Sequence, residues 1–208
     1  MMKEIILREY QETDRMYLED IIRETWNYDK FCSPIVAKKM AKLYLNSCLT
    51  NQTFTKVALI SHIPVGIIMG KNIRKHKCPI HLRIKWINSI ISLYCLKEGR
   101  KVLKIFDGIE GIDQQLLSLS GKKYKGELAF FVVDKKSRGK GIGRKLFQSA
   151  VDYMKSQNIS KFYLFTDTSC NYPFYEHLGL TKQCEIQQEI NTNYNKETMT
   201  FFIYDYHC

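Results

Sequence analysis

The segment that most restricts the fold runs from a strand through a glycine-rich loop into a helix. Residues 127–133, ELAFFVV, are rich in β-branched and aromatic residues, which is typical of a buried strand. After the loop DKKSRGKG, apolar side chains recur at every fourth position and define one face of an amphipathic helix: Ile142, Leu146, Ala150 and Met154. A strand that passes directly into a helix in this way predicts a βαβ crossover and a sheet with parallel neighbours.

The rest of the chain continues the alternation of strands and helices. The predicted elements before the loop are a strand at EIILREY, a helix at TDRMYLEDIIRETW, a helix at SPIVAKKMAKLYLNSC and a hairpin at KVALISHIPVGIIMG. Ser33 is the expected N-cap of the second helix, with Pro34 at its first position. After the loop helix we expect a strand at KFYLFTD, a short helix at YPFYEHLGL closed by Gly179, and strands at CEIQQEI and TMTFFIYDY. The prediction is an α/β fold with a mixed sheet and helices on both faces, as one domain over residues 1–208.

Residues 71–125 interrupt this rhythm and are predicted to be a helical insertion. RIKWINSIISLYCLKEG and IDQQLLSLSG favour helices, with Gly99, Gly108, Gly111 and Gly121 expected to mark breaks. We expect an apolar side to dock on the domain: Trp86, Ile87, Ile90, Ile91, Leu93 and Leu96. Residues 71–104 also hold ten basic residues and a single acid, Glu98: Lys71, Arg74, Lys75, Lys77, Arg83, Lys85, Lys97, Arg100, Lys101 and Lys104.

Composition limits the class of protein. The chain has 45% hydrophobic and 25% charged residues, which are proportions typical of folded globular proteins. The longest apolar stretch, Trp86–Leu96, is shorter than the roughly 20 residues of a membrane span, and MMKEIILREY lacks a secretory h-region. The seven cysteines have no CxxC spacing, and DGIEGID at 107–113 lacks the ligand spacing of a calcium loop. We therefore expect a cytoplasmic protein with free thiols, no membrane partner and no metal.

The loop at 137–147, SRGKGIGRKLF, suits a phosphate ligand. Glycines let the backbone approach a ligand, and the first turn of the following helix offers unpaired N–H groups with a partial positive charge. The loop does not contain the GxxxxGK[ST] string of a Walker A loop. It also lacks the GxGxxG fingerprint of a dinucleotide-binding fold, because Leu146 stands where the third glycine belongs. The net charge of +11 also suits an anionic cofactor, an acidic substrate or nucleic acid.

The string that does fit is Arg138-x-x-Gly141-x-Gly143, which resembles the R/Q-x-x-G-x-G/A loop of the GNAT (GCN5-related) N-acetyltransferases. ELAFFVV is similar to the family's central strand, and FYEHLGL resembles its later FYxxxGF segment. The resemblance covers residues 125–182 closely and 1–70 in outline. It implies the GNAT acyl-CoA N-acyltransferase fold, with 71–125 inserted between the hairpin and the central strand.

The resemblance also implies the co-substrate, acetyl-CoA, and the residues that bind it. The backbone groups of Phe131, Val132 and Val133 would pair with the pantetheine arm, and the N–H of Phe131 would polarise the thioester carbonyl. The loop and the start of its helix would bind the pyrophosphate: Arg138, Gly139, Lys140, Gly141, Ile142, Gly143 and Arg144. Thr168 and Asn171 stand at the positions of the family's Asn-x-x-Ala pair. Of these two residues, Asn171 is the candidate for binding acetyl-CoA.

Two side chains are predicted to be catalytic. Glu127 occupies the position of the catalytic glutamate in the histone-acetyltransferase branch of the family, and an alkylammonium must lose a proton before it can attack. A chain of water molecules is the alternative base. Tyr175 stands where many relatives place the tyrosine that protonates the departing thiolate. Cys170 and His177 are expected to be structural and surface residues, respectively.

Three functions remain open. The first is acetyl transfer to a primary amine of a small molecule or peptide by direct attack in a ternary complex, and the second is an acyl-CoA sensor without catalysis. A nucleic-acid-binding protein is the third, but no aromatic-basic recognition motif supports it, so we expect no nucleic acid. The basic insertion predicts either a wall of the acceptor cleft that favours acidic acceptors or a solvated helix face. A homodimer is also allowed.

Overall fold

Among the described residues, seven strands form one mixed sheet. A computed structural model describes residues 4–30, 32–191 and 196–208. The strands are β1 (Ile5–Arg8), β2 (Phe54–Ile60), β3 (Ile63–Asn72), β4 (Gly126–Val133), β5 (Lys161–Asp167), β6 (Thr181–Asn191) and β7 (Lys196–His207). Their order across the sheet is β1-β2-β3-β4-β5-β7-β6. Only the β4–β5 pair is parallel, so the mixed sheet predicted from the βαβ pattern is confirmed.

In the described part of the chain, six α-helices connect and cover the strands. They are α1 (Arg15–Thr25), α2 (Pro34–Thr50), α3 (Ile80–Tyr94), α4 (Lys97–Leu119), α5 (Ile142–Ser156) and α6 (Pro173–His177). The hairpin β2–β3 turns through Ser61 and His62, both in the left-handed region as a two-residue turn requires. Gly179, with φ of 86°, ends the α6 segment as expected.

The helices lie on both faces of the sheet. One core joins α5 to alternate strand residues, among them Ile68, Phe162 and Leu164. The intervening residues point the other way, where Ile67 and Met69 pack with α1 and α2. Helix α4 covers the far end of that second face. Its Ile112 and Leu116 pack there against Tyr163 of β5 and against Phe201 and Ile203 of β7.

A β-bulge in β4 redirects its side chains. Leu128 pairs with Gly70 and Phe130 pairs with Met69, so Ala129 has no partner on β3. Residues two apart normally share a face, yet Leu128 packs with α5 whereas Phe130 packs with α1 and α2. The half of β4 beyond the bulge therefore presents its odd-numbered side chains, such as Phe131, to the α5 face.

The insertion consists of two helices that dock on the same face as α1 and α2. Helix α3 packs on α2 through the buried Leu93 and the half-buried Trp86 and Ile90, whereas α4 contacts β6 and β7. Glu98 accepts hydrogen bonds from the backbone N–H (3.0 Å) and hydroxyl (2.6 Å) of Ser33 and thereby ties the start of α4 to the start of α2.

Ser33 is the N-cap of α2 and Pro34 is its first residue, as predicted, although the Ser33 hydroxyl donates to Glu98 and makes no capping hydrogen bond to the helix. Two other details of the sequence-based prediction were wrong. Gly99, Gly108 and Gly111 do not interrupt a helix, because α4 runs through all three and its tertiary packing outweighs the roughly 1 kcal/mol cost of each glycine. Ile87 and Ile91 do not dock, because they lie on the solvent side of α3 and are exposed.

We predict that Leu116→Ala destabilises the protein by about 2–5 kcal/mol, because the Leu116 side chain is fully buried between α4 and the sheet. Urea unfolding measures the effect. Leu119→Ala, three residues further along the same helix at an exposed position, is the matched control and should change stability by less than about 0.5 kcal/mol. Equal effects of the two variants would contradict the docking of α4.

Candidate functional site

The site is built where β4 and β5 separate. These parallel strands pair at only two positions, Gly126 with Phe162 and Glu127 with Tyr163, and then diverge. The second half of β4 stays paired with β3 as far as Val133, so its other edge is left without a strand partner among the described residues. A cavity of about 540 Å³ opens there, bordered by Phe131, Val132 and Val133. An open strand edge beside a cavity can pair with an extended ligand.

The loop after β4 holds the start of α5 open toward this cavity. Asp134 accepts hydrogen bonds from the Ser137 hydroxyl (2.8 Å) and the Lys136 N–H (3.3 Å). Gly139 and Gly141 both have φ of 77°, a conformation that favours glycine. Gly141 is the N-cap of α5 and has no side chain to occupy the first-turn N–H groups, which are therefore free for an anion.

Gly143, in the first turn of α5, is required by a close approach of α6. A Cβ atom at this position would lie 2.9 Å from Cζ of Phe174. The Phe174 ring in turn packs against Phe131, with ring centroids 5.8 Å apart. The contact brings α6, the β4 edge and the α5 N-terminus together around the cavity.

Most of the predicted binding residues line this cavity. They are Phe131, Val132, Val133, Arg138, Gly139, Gly141, Ile142, Gly143, Arg144 and Asn171. Arg138 and Arg144 are exposed at its mouth. Lys140 does not line it: its side chain is exposed, and its Nζ lies 3.4 Å from the Lys136 carbonyl oxygen. The opposite wall is the end of α1 and the residues after it, Thr25, Trp26 and Asn27.

Tyr175 lines the cavity from α6. Its ring centroid lies 6.4 Å from that of Phe131 and 5.9 Å from that of Phe174. Burial raises the pKa of Tyr175 well above its ordinary value, and the nearby Cys170 and Asp167 raise it further. The phenol is therefore protonated at neutral pH and can donate a hydrogen bond into the cavity.

Glu127 lies outside the cavity lining, four residues before Phe131 and so about 13 Å along the strand. Its carboxylate is 3.4 Å from Nζ of Lys71 and accepts from Nδ2 of Asn51 at 3.4 Å. Lys71 also donates to Oδ1 of Asn51 at 2.6 Å. The Glu127 side chain is only 12% exposed, so it is held in an ion pair under α4 and is not a solvated strand-edge residue.

Asp113, on α4, was not predicted. Burial raises its pKa to about 7, and the charges of Glu127, Asp167 and Glu110 add to the effect. Its helix neighbours Ile112 and Leu116 pack against Tyr163 of β5 and against Phe201 and Ile203 of β7, so Asp113 lies in the part of α4 that covers this face of the sheet. Among the described residues it has no hydrogen-bond or ion-pair partner. The sequence did carry a signal: Glu110 and Asp113 stand three residues apart, the spacing of one helix face.

The ten basic residues of the insertion do not share one surface. Lys71 pairs with Glu127, whereas Nζ of Lys85 lies 2.9 Å from Glu12 and Nζ of Lys75 lies 2.9 Å from Gln157. None of the ten is among the described residues that line the large cavity. Lys85 instead borders a second cavity of about 250 Å³ together with Arg15, Lys39 and Lys42.

The mixed sheet, its diverging central strands and the glycine loop at the start of α5 together define the GNAT acyltransferase fold. The sequence model of the acetyltransferase (GNAT) family matches residues 2–180, and the chain belongs to this family. The predicted fold and family are thus confirmed. No curated protein matches the sequence.

Solved structures of similar fold include several acetyltransferases. An N-acetyltransferase from Staphylococcus aureus Mu50 superposes with a TM-score of 0.57 at 10% identity, covering 98% of both chains. A ribosomal-protein-alanine N-acetyltransferase from Brucella melitensis gives 0.57 at 12%, covering 98% of this chain and 99% of that one. A variant of an agmatine N-acetyltransferase gives 0.57 at 12% with the same coverage. At these identities the similarity establishes the fold alone.

Membrane-spanning helices and metal-ligand clusters are both absent from the described part of the chain. No helix there has the length and apolarity needed to cross a membrane. Within the same residues, no three or more His, Cys, Asp or Glu side chains are grouped as metal ligands would be.

Proposed function

We propose that the protein transfers the acetyl group of acetyl-CoA to a primary amine by direct attack in a ternary complex. The observation that carries this proposal is the early separation of β4 from β5, which leaves an open strand edge leading to the N-terminus of a helix. These features suit a ligand with an extended amide-containing arm and a pyrophosphate. Acetyl-CoA has both.

The residues around the cavity fit this co-substrate. The backbone of Phe131–Val133 would pair with the pantetheine arm, and the free N–H groups of the α5 first turn would bind the pyrophosphate. Arg138 and Arg144 stand beside that turn and supply positive charge for the phosphates. Lys140 reaches the phosphates only if it leaves its contact with the Lys136 carbonyl.

Acetyl-CoA supplies an activated acetyl thioester. The N–H of Phe131 would hold the thioester oxygen as negative charge develops on it. Tyr175 would donate a hydrogen bond to the departing sulfur. Because its raised pKa makes the phenol a weaker acid than usual, Tyr175 stabilises the thiolate by hydrogen bonding more than by giving up its proton.

The acceptor amine must lose a proton, since an alkylammonium has a pKa of about 10.4. Glu127 and Asp113 both lie on the face of the sheet that α4 covers. Glu127 already has Lys71 and Asn51 as partners, whereas Asp113 has none among the described residues. We therefore propose that Asp113 takes the proton and that Glu127 supports it, because the negative charge of Glu127 makes the Asp113 carboxylate more basic.

The identity of the acceptor amine is to be found by screening a panel of amines. The basic insertion predicts acidic groups on the acceptor, and this stays a prediction. Of the ten basic residues, only Lys71 has a described contact with Glu127. The carboxylates of Asp113, Glu127 and Asp167 instead favour a cationic amine at this face. Agmatine and alanine-initiated peptides, named in the two similar structures, belong in the panel.

We predict that CoA thiol is released when the protein is given acetyl-CoA and at least one amine from a panel of polyamines, agmatine, aminoglycosides, amino acids and lysine- or alanine-initiated peptides. Thiol release is followed spectrophotometrically. Tight acetyl-CoA binding without release with any amine would instead identify a sensor.

We predict that replacing Arg138 and Arg144 together by Gln weakens acetyl-CoA binding roughly 10- to 100-fold, because each charge-assisted phosphate contact is worth about 1.5–3 kcal/mol before compensation. Titration calorimetry gives the affinity. The pair Arg74→Gln and Arg83→Gln removes the same net charge at exposed positions of the insertion and should leave the affinity unchanged. If both double variants bind equally well, the pyrophosphate assignment is wrong.

We predict that the pH dependence of kcat/KM identifies the proton acceptor. In the unaltered protein kcat/KM should rise with pH up to about 7. The pKa of Asp113 is raised to about 7, so above that pH its carboxylate is ionised and can accept the proton. Asp113→Asn should lower the rate about 10²- to 10⁴-fold at pH 7 and abolish this limb.

Glu127→Gln should retain the limb but move it to lower pH, since the neighbouring charge that raises the pKa of Asp113 is gone. Asp152→Asn is the matched control, an exposed acid on α5 at the other face of the sheet, and should behave almost as the unaltered protein. The reverse pattern, with the limb lost in Glu127→Gln and kept in Asp113→Asn, would make Glu127 the base.

A further inference from the structure

The second cavity, of about 250 Å³, lies among α1, α2 and α3. Its lining carries four basic residues and one acid: Arg15, Lys39, Lys42, Lys85 and Glu12. None of these five lines the large cavity beside β4. Arg15 begins α1, whereas Thr25 at the end of that helix borders the large cavity, about 15 Å further along. The two cavities are therefore separate sites.

The floor of this second cavity is polar and fixed in place. Asn46 of α2 and Ser89 of α3 both border it and are 2% and 4% exposed. The Asn46 amide donates to the Ser89 hydroxyl at 2.7 Å and accepts from Nη1 of Arg15 at 2.8 Å. Buried polar groups that are all hydrogen-bonded make a rigid network. These contacts join the three helices, and no lysine side chain takes part in them.

Two lysines of α2 add positive charge at this cavity. Lys39 and Lys42 stand three residues apart on one helix face, where like charges repel each other. Lys39 donates to the neutral hydroxyl of Ser92, and neither lysine forms an ion pair with a described carboxylate. Glu19, an acid on the neighbouring α1, already pairs with Arg15 at 3.3 Å. An anion bound beside the two lysines would relieve their repulsion.

The other two basic groups already hold a carboxylate. Glu12 accepts from Nε of Arg15 at 2.7 Å and lies 2.9 Å from Nζ of Lys85. Hydrogen bonding to Arg15 and Lys85 lowers the pKa of Glu12 to about 2, so its carboxylate is ionised. The Glu12 side chain is 56% exposed and can turn away into solvent. The cavity therefore already accepts one anionic group and keeps positive charge in excess of it.

We infer that this cavity binds a compact ligand that carries a phosphate group, as a phosphate ester or a polyphosphate does. The cavity has the volume of about eight water molecules in the liquid, which suits one or two phosphate groups. Hydrogen-bond donors border it on three sides, from Lys39 and Lys42 on α2, Ser92 on α3 and Arg15 on α1. A tetrahedral phosphate has acceptor oxygens in several directions, whereas a carboxylate has two oxygens in one plane.

The bound ligand would join the insertion to α1 and α2. It would contact α3, the helix that precedes the one carrying Asp113. This inference does not depend on the proposed function, because no residue of the second cavity has a part in acetyl transfer.

Titration calorimetry with inorganic pyrophosphate at low ionic strength tests the site. The starting protein is the Arg138→Gln and Arg144→Gln double variant, so that phosphate binding at the loop before α5 is weakened. Pyrophosphate should bind with a dissociation constant of about 10–100 µM. Adding Lys39→Gln and Lys42→Gln should weaken binding at least about tenfold, because two charge-assisted contacts are lost.

Two matched controls localise the effect. Lys38→Gln with Lys97→Gln removes the same charge from exposed positions outside the cavity and should leave the affinity unchanged. Glu12→Gln should tighten binding several-fold, since it frees two basic groups for the phosphate. Asp20→Asn, at an exposed acid of α1 outside the cavity, should not change the affinity.

Three results would overturn the inference. The first is no detectable binding at about 10 mM pyrophosphate. The second is an equal loss of affinity in the two lysine pairs, or no loss in either, because the charge of the cavity would then not matter. The third concerns the chemical class: citrate, whose charges lie on carboxylates, should bind more weakly than pyrophosphate. If citrate binds as tightly, the cavity does not recognise phosphate.

Discussion

Every part of the site depends on the point at which β4 stops pairing with β5. Two register pairs, at Gly126 and Glu127, are enough to anchor the strands side by side. Beyond them the strands diverge, because α6 and the start of α5 occupy the gap on one side of the sheet, with Phe174 packed against Gly143 and Phe131. The result is a strand edge that is held rigidly by β3 and has unpaired backbone groups toward the cavity. A loop could offer the same groups but not hold them in one plane.

The bulge at Ala129 separates two chemical environments along one strand. Before it, Glu127 points to the face covered by α4 and meets Lys71 and Asn51. After it, Phe131 points to the α5 face and packs with Tyr175 and Phe174. A polar compartment and an apolar one thus meet at the bulge, where the backbone continues from one to the other. In the proposed reaction, a charged amine would approach from one face while the acyl group and its thiol would be held at the other.

The insertion completes the polar compartment. Its docking rests on the apolar contacts of Ile112 and Leu116 with β5 and β7, and these contacts hold the turn of α4 that carries Asp113 against the sheet. The same docking removes Asp113 from water, which is the main cause of its raised pKa. Core packing and site electrostatics are therefore coupled in α4, since loosening one would change the other.

Local patterns in the sequence determined the order of strands and helices, the glycine loop and most of the cavity lining, because periodicity, turn residues and a short motif act over a few neighbours. Tertiary structure alone decided the rest. Whether Gly108 and Gly111 break a helix depended on the packing of α4, and the face that Glu127 occupies depended on the bulge after it. The ion pair of Glu127 with Lys71, 56 positions away, and the burial of Asp113 arise from long-range contacts. Such contacts leave no periodic signal, because burial and charge at a site are set by residues distant in the chain.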